Sequence, residues 1–129
     1  MNILIVEDDA PSRETLTQIC KKSEEHQVTA VEDGQAAWAL LDDPKRWFDV
    51  VFLDIQMPGL DGMDVLKRLR GSALHRSTEV VMCTASNDRA TITEAVRLGA
   101  KHYIVKPCTE AVVTAKLKAI DQNRAAAGR

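Results

Sequence analysis

Several side chains that can take part in phosphoryl chemistry stand immediately after short apolar runs of the sequence. They are Glu7, Asp8, Asp54, Thr84 and Lys106. A carboxylate can attack phosphorus and form an acyl phosphate. Phosphoryl transfer depends mainly on positioning and on neutralising charge, so Lys106 is the candidate cation and the Thr84 hydroxyl is a candidate hydrogen-bond donor to a phosphoryl oxygen. Together these residue types indicate a phosphoryl-transfer site.

The acids Glu7, Asp8 and Asp54 meet if the runs before them are neighbouring strands, which lie about 4.8 Å apart in a sheet. Two carboxylates at 4 Å repel by about 1 kcal/mol in water and by about 4 kcal/mol at an effective dielectric constant of 20. A cation relieves such crowding, and oxygen ligands without His or Cys suit Mg²⁺ or a similar hard ion. The three acids therefore predict a magnesium site, with Mn²⁺ as the alternative metal.

The apolar runs have the length and composition of strands buried on both faces of a parallel sheet. Five such runs occur, at residues 3–6, 28–31, 50–53, 80–83 and 103–105. The run at 28–31 is the weakest and more polar, as an edge strand is.

Helical patterns separate these strands. Pro11 fits the first turn of a helix, where its missing N–H is tolerated, and apolar residues at spacings of three and four follow it. Ser86, Asn87 or Asp88 can begin the fourth helix, and Thr109 can begin the fifth. The acid Asp9 we interpret as favoured by the start of the first helix rather than as a metal ligand.

A β-α unit that occurs five times predicts an α/β fold with a doubly wound, five-stranded parallel sheet and right-handed crossovers. No linker interrupts the pattern, so residues 1–122 are expected to form one domain. Residues 123–129 have the composition of a fraying end or a linker stub. Open α/β sheets bind ligands outside the carboxyl ends of their strands, which is where the candidate residues stand.

Composition excludes several classes of protein. The 129 residues are 45% hydrophobic and 28% charged, which is the balance of a folded domain rather than of a disordered chain. The net charge of −2 provides no strong field toward nucleic acid, and no apolar run approaches the ~18 residues of a membrane span. We therefore expect neither direct nucleic-acid binding nor membrane insertion.

The cysteines and histidines form no recognisable motif. Cys20, Cys83 and Cys108 are far apart and odd in number, which predicts reduced thiols and a cytoplasmic location. Cys108 precedes a predicted helix, a position that lowers a thiol pKa, but we interpret it as an inert thiol. The histidines are expected on the surface or at sheet edges: His26, His75 and His102.

Four segments of the chain together resemble the receiver domain of response regulators in two-component signalling. Their sequences are ILIVEDD at residues 3–9, VFLDIQMPGLDG at 51–62, VMCTA at 81–85 and YIVKP at 103–107. They extend in the right order and spacing from the first strand to the start of the last helix. The resemblance implies the flavodoxin-like receiver fold with strand order 2-1-3-4-5, the order of chemotaxis receivers.

The resemblance also implies roles for the residues of the acidic cluster. Asp54 is the expected phosphoacceptor, and Lys106 is expected to pair with the phosphoryl group. The expected ligands of Mg²⁺ are Asp8, Asp54 and the backbone carbonyl of Gln56, with Glu7 acting mainly through water.

Thr84 and Tyr103 form the switch that the resemblance implies: the hydroxyl moves to the phosphoryl group and the aromatic ring turns inward. The Lys106–Pro107 peptide bond is expected to be cis, an isomer that proline tolerates. Phosphorylation adds a charge of about −1.5 to −2 and biases loops that have two arrangements. The expected readout surface is built by the fourth helix, the fifth strand and the fifth helix.

The implied function is that of a phosphoacceptor signalling domain rather than an enzyme. A sensor histidine kinase or a histidine phosphotransfer protein supplies the phosphoryl group from its phosphohistidine, and a downstream target protein or output domain reads the result. The alternative is a receiver that is no longer phosphorylated and acts as an interaction or dimerisation module. The sequence leaves open whether the chain is a stand-alone receiver or part of a longer regulator or hybrid kinase, and it leaves the oligomeric state open.

Two other functions on a similar architecture fit less well. A phosphohydrolase of the haloacid dehalogenase type needs an acid two residues after its nucleophile, where this chain has Gln56. A flavin or nucleotide carrier binds phosphate with a Ser/Thr/Gly-rich loop after the first strand, where Glu7, Asp8 and Asp9 would repel it.

Overall fold

The computed structural model describes residues 1–85 and 89–126. In this part of the chain five parallel strands form one sheet: β1 (Asn2–Val6), β2 (Gln27–Val31), β3 (Val50–Asp54), β4 (Glu79–Thr84) and β5 (His102–Val105). Their order is β2-β1-β3-β4-β5, which confirms the predicted topology. The weakly apolar second run is an edge strand, as expected, and β5 forms the other edge.

Helices connect consecutive strands. The described residues contain α1 (Ala10–Lys21), α2 (Gly34–Leu41), α3 (Gly62–Arg70), a 3₁₀ helix (Ala73–His75), α4 (Arg89–Arg97) and α5 (Glu110–Ala126). None of them combines the length and the apolar character that crossing a membrane requires.

Side-chain oxygens cap the N-termini of most of these helices. The carboxylates of Asp9, Asp33 and Asp61 accept hydrogen bonds from backbone N–H groups in the first turns of α1, α2 and α3, and such caps satisfy donors that the helix itself leaves unpaired. The hydroxyl of Thr109 accepts from the Val112 N–H at 3.4 Å at the start of α5, as predicted. The predicted caps of α4, at positions 86–88, lie outside the described residues.

The sheet separates two apolar cores, because side chains alternate between its faces. On one face, residues such as Leu4, Val51 and Met82 pack with α2, α3 and α4. On the other face, residues such as Ile5 and Phe52 pack with α1 and α5. Both faces of β1, β3 and β4 are therefore covered, which explains why their sequences are continuous apolar runs rather than alternating ones.

His75 contradicts the expectation that the histidines lie on the surface or at sheet edges. Its side chain is buried, and its ring nitrogens contact the Leu41 carbonyl and the Thr78 hydroxyl. Thr78 in turn donates to the Phe48 carbonyl at 3.0 Å. The ring thus satisfies polar groups of the α2–β3 and α3–β4 connections that would otherwise be buried without partners, a role that only the tertiary structure defines.

The end of the chain also differs from the expectation of a tail after residue 122. Helix α5 continues to Ala126, and Arg124 donates to the Asp49 carboxylate at 2.6 Å. The Asp49 carboxylate also accepts from the Asn2 N–H at 2.7 Å and from the Trp47 indole at 2.9 Å. Asp49 therefore ties the last turn of α5 to the beginning of β1 and to the segment before β3.

Gly62 is the point at which α3 approaches the carboxyl end of β3. A Cβ atom there would lie 2.2 Å from the Asp54 carbonyl oxygen and 2.8 Å from the Ile55 Cα, and both of these are backbone atoms that cannot move aside independently. The Gly62 N–H donates to the Ile55 carbonyl at 3.0 Å. A side chain at this position would therefore push α3 away from the segment that carries Asp54.

We expect Gly62→Ala to lower the free energy of unfolding by about 1–3 kcal/mol, the usual cost of overpacking. Gly71→Ala is the matched control, because its Cβ would lie no closer than 3.5 Å to another atom and its φ of −84° suits any residue. The control is expected to be neutral or stabilising by about 0.4–1 kcal/mol. Urea unfolding measures both, and equal effects of the two substitutions would contradict the close approach.

Candidate functional site

The carboxyl ends of β1 and β3 bring the candidate acids together. Val6 pairs with Leu53 in the parallel register. Glu7, which follows β1, and Asp54, which ends β3, therefore lie side by side at the ends of adjacent strands. Ligand oxygens of Glu7, Asp8 and Asp54 all lie within 4.8 Å of one another. Glu7 and Asp54 are buried, and Asp8 is exposed. The predicted convergence of these three acids is therefore present.

Lys106 reaches this acidic cluster from the end of β5. Its Nζ lies 2.5 Å from Glu7 Oε1 and 3.3 Å from Asp54 Oδ1. The Lys106 side chain is 21% exposed, whereas the Glu7 and Asp54 side chains are 5% and 6% exposed. Shielding from solvent strengthens the attraction between these charges, but it also carries the cost of removing them from water. The Lys106–Pro107 peptide bond is cis, as the sequence led us to expect.

Burial and charge crowding govern protonation at this site. Burial raises the pKa of Asp54 to about 8, hydrogen bonds with Glu7 and Asp8 act in the same direction, and the Lys106 charge opposes them. For Lys106, burial alone would lower the pKa, but the hydrogen bond to Glu7 and the charges of Asp54 and Glu7 outweigh it and raise the pKa. The neutral form of Asp54 is therefore favoured here, and a further cation would favour the ionised form.

Backbone groups and one arginine hold the acids in place. The Glu7 carboxylate accepts from the Asp9 N–H at 3.3 Å, and the Asp54 carboxylate accepts from the Gln56 N–H at 3.4 Å. The guanidinium of Arg13 donates to the Glu7 backbone carbonyl at 2.9 Å. Nothing in the sequence pointed to Arg13, because an arginine near the start of a helix carries no signal that it contacts the residue following the preceding strand.

The side chain of Asp9 caps helix α1, unlike that of its neighbour Asp8. It accepts from the Ser12 N–H at 3.0 Å and from the Ser12 hydroxyl at 2.6 Å, and these bonds lower the Asp9 pKa. Its oxygen is therefore engaged in capping α1, which agrees with the interpretation of Asp9 as a helix-start acid.

Thr84 and Tyr103 lie on the strands next to the cluster. Thr84 ends β4, one residue beyond the position paired with Asp54, and its side chain is buried. Its carbonyl accepts from the Lys106 N–H at 2.7 Å, which joins the ends of β4 and β5. The Tyr103 side chain is 44% exposed, so the ring points away from the core.

The donor set suits a hard divalent cation. Carboxylate oxygens that converge without a His or Cys ligand are the set that Mg²⁺ and Mn²⁺ accept. The three acids converge on one point and Lys106 supplies one positive charge, so a divalent cation would neutralise the acids in their ionised forms. The residues present therefore fit the metal that the sequence predicted.

Comparison with known proteins shows similarity to response regulators. A family model described as the response regulator receiver domain matches residues 3–118. The chain is 36% identical over 120 residues to the chemotaxis protein CheY-3 of Vibrio cholerae, covering 93% of this chain and 91% of that protein. It is 35% identical over 118 residues to the phosphate regulon transcriptional regulatory protein PhoB of Klebsiella pneumoniae, covering 92% of this chain and 50% of that protein.

The fold is likewise similar to that of solved receivers. The structure of the Francisella response regulator 1452 receiver domain superimposes with a TM-score of 0.84 at 23% identity, covering 95% of this chain and 98% of that one. The chain spans half the length of PhoB. It spans only 16% of a Dictyostelium discoideum cyclic-nucleotide phosphodiesterase, regA, to which it is 26% identical over 124 residues.

Removing one acid from the cluster tests its charge crowding. We expect Asp54→Asn to raise the melting temperature in chelator-containing buffer by a few degrees, because the variant removes an acid whose ionised form is disfavoured by burial and by its neighbours. A cost of about 1 kcal/mol corresponds to about 2–8 °C for domains of this size range. Added Mg²⁺ should stabilise the wild type more than the variant. Glu24→Gln, which removes the same charge from an exposed position, is the control. If Asp54→Asn behaves like Glu24→Gln in both buffers, the acids do not share a site.

The raised pKa of Asp54 predicts a pH dependence in the absence of metal. The folded state keeps this proton up to a pH of about 8, whereas an unfolded aspartate loses it near pH ~3.9. The folded state binds more protons between these values, so the free energy of unfolding falls as the pH rises through this window. Asp54→Asn has no carboxyl group to titrate at this position. The difference in the free energy of unfolding between the variant and the wild type should therefore grow, in favour of the variant, from pH ~5 to pH ~8. Denaturant unfolding at several pH values measures this difference, and a difference that stays constant with pH would count against the raised pKa of Asp54.

Proposed function

Because the chain belongs to the response regulator receiver domain family, we propose that it accepts a phosphoryl group on Asp54 in a two-component phosphorelay. The observation that carries the proposal is the convergence of Glu7, Asp8 and Asp54 with the ammonium of Lys106 3.3 Å from the Asp54 carboxylate. This arrangement offers a carboxylate that can act as a nucleophile, acids that can bind a metal and a nearby cation at the carboxyl edge of the sheet.

The proposed donor is the phosphohistidine of a sensor histidine kinase or of a histidine phosphotransfer protein. An oxygen of the ionised Asp54 carboxylate attacks phosphorus. The new P–O bond forms as the P–N bond breaks, and the bonding electron pair stays on the imidazole nitrogen of the partner. Lys106 shifts from Asp54 toward the phosphoryl oxygens, because its flexible side chain already contacts that carboxylate. The phosphoryl group thus exchanges a bond to nitrogen for one to a carboxylate oxygen.

Asp8, Asp54, the Gln56 carbonyl and Glu7 are the groups proposed to hold Mg²⁺ or Mn²⁺, with Glu7 acting mainly through water. The ion would supply positive charge that neutralises the phosphoryl oxygens. Glu7 is already paired with Lys106 at 2.5 Å, which supports a less direct part for Glu7 than for the exposed Asp8. Asp54 must give up its proton before it attacks, and a neighbouring cation favours the ionised form.

The proposed switch uses Thr84 and Tyr103. Phosphorylation adds a charge of about −1.5 to −2 together with strong acceptor oxygens, toward which the Thr84 hydroxyl moves. The Tyr103 ring, now 44% exposed, then turns inward. The surface that changes is built by α4, β5 and α5, where Val96, Val105 and Val112 are exposed apolar residues.

We also propose how the signal is read and where in the cell the protein acts. A downstream target protein or an output domain reads the altered surface, and neither direct nucleic-acid binding nor membrane insertion is part of the function. We place the protein in the cytoplasm, since unpaired thiols are typical of a reducing compartment. The role is that of a signalling domain and not of an enzyme. A receiver that is no longer phosphorylated is not favoured, because Asp54, Thr84 and Lys106 are all in place.

Incubation with acetyl phosphate and Mg²⁺, followed by intact-mass measurement, tests the proposal. We expect a gain of one phosphoryl group that hydroxylamine removes, since hydroxylamine cleaves acyl phosphates. The gain should be absent in Asp54→Asn and absent when a chelator replaces Mg²⁺. It should persist in Asp9→Asn, the matched control, because asparagine caps a helix as well as aspartate does.

A gain of mass that Asp54→Asn retains, or none with wild-type protein and Mg²⁺, would refute phosphorylation at Asp54. Loss of the gain in Asp9→Asn would instead assign Asp9 to the site and contradict its capping role. Near-ultraviolet circular dichroism on each variant separates these outcomes from misfolding.

A further inference from the structure

A cavity at the amino end of the sheet lies apart from the acidic cluster. Its volume is about 730 Å³, which is within the range of about 300–1,000 Å³ that small-molecule sites occupy. Glu79 and His102, the first residues of β4 and β5, are part of its lining. The acidic cluster lies at the other end of the strands, about 17 Å away for a five-residue strand. None of the residues proposed for phosphoryl transfer lines this cavity.

Positive charge predominates in the lining of the cavity. Three cations, Arg76, Lys101 and Arg124, line it together with one acid, Glu79. Arg124 pairs with Asp49 at 2.6 Å. Arg76 and Lys101 are exposed, and neither forms an ion pair with another residue that the structure describes. The whole chain carries a net charge of −2, so the sign of the charge is reversed at this cavity and complements an anion.

The Trp47 indole supplies an aromatic surface to the same cavity. Trp47 lines the cavity and is 41% exposed. Its ring stacks on the buried His75 ring, with the centroids 6.2 Å apart and an angle of 17° between the planes. The core therefore supports the indole on one side, and the exposed part of the indole can stack on a planar ring of a ligand.

Asp49 holds this aromatic ring and one of the cations in place together. Its Oδ1 accepts from the Trp47 indole N–H at 2.9 Å and from the Arg124 guanidinium at 2.6 Å. The Arg124 and Asp49 side chains are only 19% and 13% exposed. The Nε of Arg124 is buried and has no acceptor among the described residues, so the protein leaves a donor of this guanidinium unused. Groups fixed in this way lose less conformational entropy when a ligand binds than free side chains do.

We propose that this cavity binds a nucleoside phosphate, with the base against the Trp47 indole and the phosphate paired with Arg76 and Lys101. Ser77 and Asn123 also line the cavity, and their polar side chains suit the hydroxyl groups of a sugar. The proposal rests on the cavity, its unpaired cations and the supported indole. It does not depend on phosphorylation of Asp54.

Other anions fit these features less well. Inorganic phosphate would pair with the cations but would fill a small part of the volume of about 730 Å³ and leave the indole uncovered. An acidic peptide would also pair with Arg76 and Lys101, but a carboxylate side chain has no ring to stack on Trp47. A nucleoside phosphate combines an aromatic ring with a charge of about −1.5 to −2, and it therefore uses both features.

The test follows the two indole N–H signals in ¹H–¹⁵N spectra while AMP is added to the folded chain. A chelator in the buffer prevents a metal ion from bridging AMP to the acidic cluster. We expect the Trp47 signal to shift and to saturate. The Trp38 signal should stay in place, because Trp38 lies on α2 and packs against Arg68. Adenosine, ribose 5-phosphate and inorganic phosphate should each bind about tenfold more weakly than AMP, a loss of about 1.4 kcal/mol.

Substitutions locate the phosphate. Arg76→Gln and Lys101→Gln should each weaken AMP binding several-fold, and the double variant should weaken it by about tenfold. Lys21→Gln is the matched control, because it removes an exposed cation that does not line the cavity. It should bind AMP as the wild type does. An equal loss in Lys21→Gln would show that general charge attraction, and not this cavity, holds AMP.

The wild-type protein also provides outcomes that would overturn the proposal, so the result does not depend on variants that fold. A Trp47 signal that does not move in millimolar AMP would refute the site. Equal affinities for AMP and ribose 5-phosphate would refute the stacked base, and equal affinities for AMP and adenosine would refute the paired phosphate. A hexaglutamate peptide that binds more tightly than AMP would assign this surface to an acidic protein partner instead.

Discussion

The ammonium of Lys106 is the group on which the acidic cluster depends. It lies 2.5 Å from a Glu7 oxygen and 3.3 Å from an Asp54 oxygen, and it is what allows two buried acids to stand side by side. A buried acid without a cation would be neutralised or expelled. Because this cation comes from the end of β5 and the acids come from β1 and β3, the ion pair also joins strands that are not neighbours in the sheet.

The acidic cluster contains more acids than cations, and this imbalance affects the protonation of Asp54. One lysine offsets only part of the charge of three acids, and burial and the neighbouring acids raise the pKa of Asp54, which favours its neutral form. In such a site a further cation would favour the ionised form of Asp54. The rest of the sheet is enclosed by apolar cores on both faces.

The sequence predicted the elements that rest on local patterns and missed those that rest on tertiary contacts. Apolar runs were sufficient to predict the five strands, and the acids that follow them were sufficient to predict the candidate residues, because both signals lie within single segments. The convergence of the acids also required the order of the strands. The strand order came from a resemblance rather than from the residues. The buried His75 and the pairing of Arg124 with Asp49 had no local signal, since their partners are distant in sequence.

The backbone at the ends of β4 and β5 holds the cluster together from the other side. Side chains alternate across a strand, so Cys83 enters the core next to α1 and α5, while the next residue, Thr84, ends β4 beside the strand that carries Asp54. The Thr84 carbonyl accepts from the Lys106 N–H at 2.7 Å, which fixes the backbone of Lys106 relative to β4. The position of the Lys106 ammonium therefore depends on this hydrogen bond between strands as well as on the acids that the ammonium contacts.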